Sequence, residues 1–223
     1  MHRQQLAIAA SGIGYIIASL TGLALAPLPD LGSSPAHDRA YLVTLHTGPF
    51  TAGCLLNLLA YLALLVFMVQ LARLTSPRPG TTVRVLAAAG PTLAAACVAS
   101  GIALAGAVAL HRASLPPPVA ATLLDAASLA TWISTLGFAL ALAAVGLSIT
   151  GANHALARWT GWTALAIAAA FAACLPFART GAGHLPAIAA DLWIIATTIA
   201  VLRHRTGAAA PAGTEEPAAL AIP

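Results

Sequence analysis

Long hydrophobic stretches, separated by short segments rich in proline, glycine and arginine, dominate the pattern along the chain. A helix needs about 20 apolar residues to cross ~30 Å of hydrocarbon at 1.5 Å per residue. Six stretches reach or approach that length: residues 6–26, 48–71, 85–110, 119–149, 160–177 and 186–202. The pattern therefore predicts an all-α polytopic membrane protein, a single bundle of six transmembrane helices within residues 1–204.

The composition supports lipid as the solvent of this chain. Hydrophobic residues make up 60% of it and charged residues only 7%, whereas soluble domains carry about 25% charged residues. No run of basic residues is present, which argues against nucleic-acid binding. Residues 205–223 are rich in alanine and proline without a core pattern, so we expect a disordered cytoplasmic tail.

The arginines predict an orientation, because short cytoplasmic loops carry the excess of basic residues. With the N-terminus inside, the outer segments hold three arginines, namely Arg39, Arg112 and Arg179. The inner segments hold the rest, namely Arg3, Arg73, Arg78, Arg84, Arg158, Arg203 and Arg205. We therefore expect both termini inside. The absence of lysine is typical of a high-GC bacterial genome, so the predicted location is a bacterial inner membrane.

Two local patterns add detail to the bundle. Ser34 and Pro35 are typical of a helix start, so a short helix should run through Tyr41 toward Leu45 in the longest loop. In the first span, Gly14, Ala18 and Gly22 recur at four-residue spacing. Such a ridge of small residues allows close helix contact, and it suggests a homo-oligomer or a membrane-protein partner.

Polar residues near the outer ends of the spans are the candidates for a binding site. Ionisable and polar groups within spans are costly and usually face the bundle interior or water. An outward-facing pocket that binds a small polar solute, a proton or a metal ion is therefore one hypothesis, since histidine and carboxylate are common metal ligands. The candidate lining residues are His46, Asn57, Asp125, His184 and Asp191.

The alternative hypothesis gives the same residues capping and interface roles, because carboxylates favour the N-terminal end of a helix. Span length separates the two aspartates. The fourth stretch is longer than a bilayer requires, which places Asp125 near the headgroups. The sixth is short, which places Asp191 within the apolar slab. A stripe of Asp125, Ser128, Trp132 and Thr135 follows one face of the fourth helix.

A haem site is a further hypothesis, since two histidines at equal depth could ligate the iron between helices. His46, His111 and His184 could supply such a pair. No cofactor is strongly implied, and no GxSxG or HExxH motif indicates a hydrolase. The cysteines fall in apolar stretches without a CxxC pair, so we expect buried free thiols at Cys54, Cys97 and Cys174.

Three features stand out in the second half of the chain: LLD at 123–125, RWTGW at 158–162, and a last span that contains Trp193 and ends in Arg203-His204-Arg205. In these features it resembles a group of uncharacterised six-span membrane proteins common in actinobacteria. The group has no established activity, so the resemblance implies the six-span architecture and no catalytic residue.

Three functions remain open on the sequence. The first is a non-enzymatic accessory or binding component of the membrane. The second is a small transporter or ligand-binding protein that uses the outer pocket, and the third is a membrane-embedded haem or metal redox protein.

Overall fold

The computed structural model describes residues 2–29, 32–75, 81–111, 114–151, 156, 158–180 and 184–207. Within these ranges the secondary structure is entirely helical. The α-helices are α1 (His2–Leu25), α2 (Pro35–Thr44), α3 (Thr47–Thr75), α4 (Thr81–His111), α5 (Pro117–Thr150), α6 (Arg158–Cys174) and α7 (His184–Gly207), with a 3₁₀ segment at Leu175–Thr180.

Six of these helices, all except α2, are long and apolar enough to cross a membrane. The chain is thus a multi-pass membrane protein, and the predicted six-helix bundle is confirmed. Most helices extend a few residues beyond the predicted spans. The last one begins at His184 rather than Pro186, because proline is tolerated in the first turn of a helix. Residues 205–207 continue α7, and the remainder of the predicted tail, 208–223, lies outside the described residues.

The short helix predicted in the longest loop is present as α2. Its N-cap residue is Ser34, whose hydroxyl accepts a hydrogen bond from the His37 amide at 3.2 Å. Tyr41 and Leu42 of α2 pack against a cluster to which α3, α4 and α5 contribute at one end of the bundle. The α2 helix therefore lies across one end of the bundle instead of extending away from it.

The six spans form a closed ring with α5 displaced toward its centre. Each span contacts the spans next to it in sequence, α7 contacts α1, and α5 also contacts α3 across the ring. In α5, 61% of the most hydrophobic 18-residue segment is buried, whereas the corresponding share in the other spans is 28–39%. The large apolar side chains that point outward, such as Ile17, Leu55 and Leu192, are more than half exposed and face the lipid.

Glycines set the closest helix crossings. A Cβ on Gly137 of α5 would lie 2.5 Å from the Gly90 carbonyl oxygen of α4, so these backbones touch directly. In the predicted ridge on α1, Gly22 packs against Asn57 of α3, whereas nothing lies within 4 Å of a Cβ on Gly14. The ridge therefore contributes to packing within the chain at Gly22 and faces open space only at Gly14.

Two hydrophobic clusters occupy different levels of the bundle. The larger one contains the aromatic residues Phe67, Phe138, Phe171 and Trp193. The smaller one lies at the end where α2 packs, around Leu45, Phe50, Val108 and Leu124. The polar residues that the sequence marks as candidates lie mainly between these two clusters or at the α2 end.

Candidate ligand-binding cavity

A cavity of about 240 Å³ lies where α1, α3, α4, α5 and α7 converge, at the α2 end of the bundle. This volume lies below the 300–1,000 Å³ typical of drug-sized sites. Its polar lining comes from Ser19, Asn57, Tyr61, Ser128, Thr131, Trp132 and His184. The cavity is therefore suited to a small solute that both hydrogen-bonds and packs on aromatic faces.

The inner end of the cavity is closed by the larger hydrophobic cluster. On α3, Tyr61 lines the cavity, whereas Leu64, Phe67 and Met68, further along the helix, are fully buried. The Tyr15 and Phe138 rings pack edge to face with centroids 6.3 Å apart. The cavity is therefore closed at the end away from α2.

The described part of the connection between α1 and α2 contributes Leu28 and Pro29 to the lining, and we call this part the roof of the cavity. Two hydrogen bonds tether this roof to α5. The Ser128 hydroxyl donates to the Pro29 carbonyl oxygen at 2.8 Å, and the Gly32 amide donates to Asp125 Oδ1 at 2.9 Å. Gly32 has a φ of 75°, a conformation that glycine adopts without steric cost.

The five candidate pocket residues have three kinds of surroundings. Asn57 and His184 line the cavity, and the His184 ring lies 6.1 Å from the Trp132 ring, centroid to centroid. Asp125 tethers the roof. His46 is exposed and does not line the cavity. Asp191 also lies outside the lining, behind one wall of the cavity.

Asp191 is half-buried in α7, and its surroundings connect it with the cavity. The Tyr15 side chain of α1 interacts with both Asp191 and Ser19. Ser19 in turn lines the cavity. Tyr61, another lining residue, interacts electrostatically with Asp191 and contacts the Ser134 hydroxyl at 3.3 Å.

Sequence reasoning missed Ser19, Tyr61 and Thr131 as lining residues. It included Ser128 and Trp132 in the stripe on α5, but the Thr135 hydroxyl of that stripe only donates to the Trp132 carbonyl oxygen. A usable signal was the recurrence of polar residues four apart within apolar spans, which places both on one helix face. The pairs are Tyr15 with Ser19, Asn57 with Tyr61, and Ser128 with Trp132.

Outside the spans, Tyr41 of α2 is partly buried beside the cavity wall. Burial, and then the neighbouring Cys54 thiol, raises the pKa of Tyr41 to about 12. The Tyr41 hydroxyl has no hydrogen-bond partner among the described residues. Cys54 itself is a free, buried thiol in the cavity lining, so α2 reaches the wall of the cavity from outside.

The described residues contain no group of three His, Cys, Asp or Glu side chains that could hold a metal ion. Of the histidines proposed for a haem pair, His46 is exposed between α2 and α3 and His111 is exposed at the end of α4. His184 packs on Trp132. The polar groups of the lining are instead hydroxyls with one amide, one indole, one thiol and one imidazole, among aliphatic side chains.

Comparison with protein families, curated proteins and solved structures finds no match to this chain. The resemblance to actinobacterial six-span membrane proteins therefore stays a prediction. Any functional argument has to come from the geometry of the cavity and its surroundings.

Proposed function

We propose that this multi-pass membrane protein binds a small solute in the outer half of the bundle, as a transporter or a solute-binding protein. The observation that carries the proposal is the cavity, to which α1, α3, α5 and α7 each contribute polar side chains. Polar groups inside a membrane bundle are costly unless they face water or a partner. Their convergence on one cavity favours a binding role over separate interface roles.

The orientation belongs to the same proposal. Both termini lie on the cytoplasmic side of a bacterial inner membrane, so α2 and the roof of the cavity face outward. The distribution of arginines supports this arrangement, since seven of the ten fall in the segments on the side of the termini. A solute would then enter from outside, past the roof that Asp125 and Ser128 hold in place.

A role as an assembly component has less support from the geometry. The small-residue ridge on α1 packs within the chain at Gly22, so the ridge as a whole does not face a partner. Gly14 alone leaves room for one. We therefore rank accessory or oligomeric functions behind solute binding.

The test is a thermal-stability screen of the full-length protein in detergent with small amines, alcohols, sugars and carboxylates. A ligand at 100 times its Kd stabilises a protein by ~2.7 kcal/mol, which raises Tm by about 5–10 °C in a chain of this size. We expect at least one class to produce such a shift. We expect Asn57→Leu, which removes the amide from the lining, to abolish it.

Two threonine-to-valine variants, a test and its matched control, each remove one hydroxyl. Thr131→Val changes the cavity lining, whereas Thr92→Val changes an exposed position on α4, where the threonine donates to the carbonyl oxygen of Ala88. Only the first should weaken the ligand-induced shift. If no solute class shifts Tm, or if both threonine variants respond alike, the solute-binding proposal is wrong.

A further inference from the structure

Asp191 is an acid within a transmembrane helix. Tyr15 interacts with it, and no basic side chain among the described residues does so. Asp191 lies seven residues into α7, about 10 Å from the start of the helix at 1.5 Å per residue. An isolated carboxylate inside a bundle is strongly unfavourable, so such groups bind protons or cations and mark functional sites.

Two lining residues connect the cavity with Asp191. Ser19 lines the cavity and interacts with Tyr15, which also interacts with Asp191. Tyr61 lines the cavity and interacts electrostatically with Asp191. A charge that enters the cavity therefore interacts with Asp191 through a low-dielectric environment, where such interactions are stronger than in water.

The lining itself favours a positive charge. None of the lining residues is an arginine, and the aromatic faces of Phe50, Tyr61 and Trp132 take part in it. Aromatic rings attract organic cations through the negative potential of their faces. The Asn57 amide adds a carbonyl oxygen that can accept a hydrogen bond from an ammonium group.

Building on the solute-binding function proposed above, we infer that the cavity selects a small organic cation of the alkylammonium type, and that this cation competes with a proton on Asp191. In the empty protein the proton neutralises the carboxyl group. When the cation binds in the cavity, the proton leaves the Asp191 carboxyl group for solvent. The charge of the cation then compensates that of the carboxylate. The exchange is a coupling between two ligands, and each weakens the binding of the other by the same factor.

Competition predicts the direction of the pH dependence. Cation binding should strengthen as pH rises, because the proton leaves Asp191, by up to about tenfold per pH unit for a single proton. The ionisable groups near Asp191 are Tyr15 on α1 and Tyr61 on α3, with His184 two turns earlier on α7. In the described part of α6, the other neighbour of α7, no ionisable group acts on Asp191.

The experiment compares benzylammonium with benzyl alcohol, a neutral probe of nearly the same shape, on the full-length protein in nanodiscs of neutral lipid. Trp132 lies in the lining, so quenching of tryptophan fluorescence reports binding. We expect benzylammonium to bind about tenfold more tightly, a preference of ~1.4 kcal/mol. Asp191→Asn should remove both the preference and its pH dependence.

Two further variants separate Asp191 from other charges. Asp38→Asn removes an acid of α2 that does not line the cavity and should leave the preference intact. A pH dependence that disappears in His184→Gln would overturn its assignment to Asp191. The comparison of the two probes on the wild-type protein needs no variant, so it decides even if Asp191→Asn does not fold. Equal affinities for the two probes, or a preference that survives Asp191→Asn, overturn the cation inference and leave solute binding intact. Absence of binding by the whole solute panel contradicts the proposed function itself.

Discussion

At the scale of single residues, two tyrosine hydroxyls beside the cavity differ in whether they have a partner. The Tyr61 hydroxyl contacts the Ser134 hydroxyl at 3.3 Å. The Tyr41 hydroxyl is buried without a partner among the described residues. A buried polar group without a hydrogen bond contributes a desolvation cost and no compensating gain, so the two hydroxyls should affect stability in opposite directions.

Substituting each tyrosine by phenylalanine tests this contrast. Tyr61→Phe should lower stability by about 1 kcal/mol, the typical net value of one hydrogen bond, and lower Tm by about 2–4 °C. Tyr41→Phe should leave Tm unchanged or raise it. Thermal unfolding of the two variants side by side checks the prediction, which fails if Tyr41→Phe is the more destabilising change.

The pH profile gives a second measure of Tyr41. Burial raises the pKa of Tyr41 in the folded protein to about 12, whereas an unfolded tyrosine has a pKa of about 10. The unfolded chain therefore loses this proton first, and stability should fall as pH rises from about 10 toward 12. Tyr41→Phe should remove that part of the decline.

The two aspartates show what span length alone could predict. The long fourth stretch placed Asp125 at the outer edge, and the structure has it bonded to the Gly32 amide of the roof. The short sixth stretch placed Asp191 within the slab, where it contacts Tyr15. The partners of these two acids depend on which helices are neighbours and on the path of a loop. Hydrophobic periodicity in one sequence predicts neither of these.

At the scale of helices, the close crossing of α4 and α5 depends on Gly90 and Gly137. A Cβ on Gly137 would lie 2.7 Å from the Ala94 amide nitrogen as well as 2.5 Å from the Gly90 carbonyl oxygen. Both are backbone atoms, so a side chain here forces the helices apart. The composition of α4 predicts close packing, but the glycine that contacts each neighbour follows from the order of helices in the ring.

Alanine at two glycines tests the crossing. Gly137→Ala should destabilise the protein by about 1–3 kcal/mol through overpacking. Gly106→Ala is the matched control within α4, since nothing lies within 4 Å of a Cβ there. This control should be neutral or stabilising by up to ~1 kcal/mol, because alanine favours helix over glycine. Thermal unfolding measures both, and equal effects would show that the close approach is unimportant.

At the scale of the whole molecule, the lengths of the hydrophobic stretches predicted the six spans, because a helix forms all its backbone hydrogen bonds internally and is therefore stable in lipid. The ends of the helices were less predictable, as α7 shows by starting before Pro186. The predicted pocket shares Asn57 and His184 with the lining of the cavity at the α2 end. Much of its remaining polar lining comes from serine, threonine and tyrosine residues. These residues lie on different helices, so one sequence does not show that their side chains meet.

Labelling of Cys54 is the most direct test of whether the cavity opens to the outer face of the membrane. With Cys97 and Cys174 replaced by alanine, Cys54 is the one remaining thiol, and it lines the cavity seven residues into α3. A membrane-impermeant maleimide added to the outer face should label it, and the double change Asp125→Asn with Ser128→Ala should accelerate labelling by releasing the roof. A variant without cysteines controls for background. Labelling only from the side of the termini, or none even with the roof released, would contradict the account.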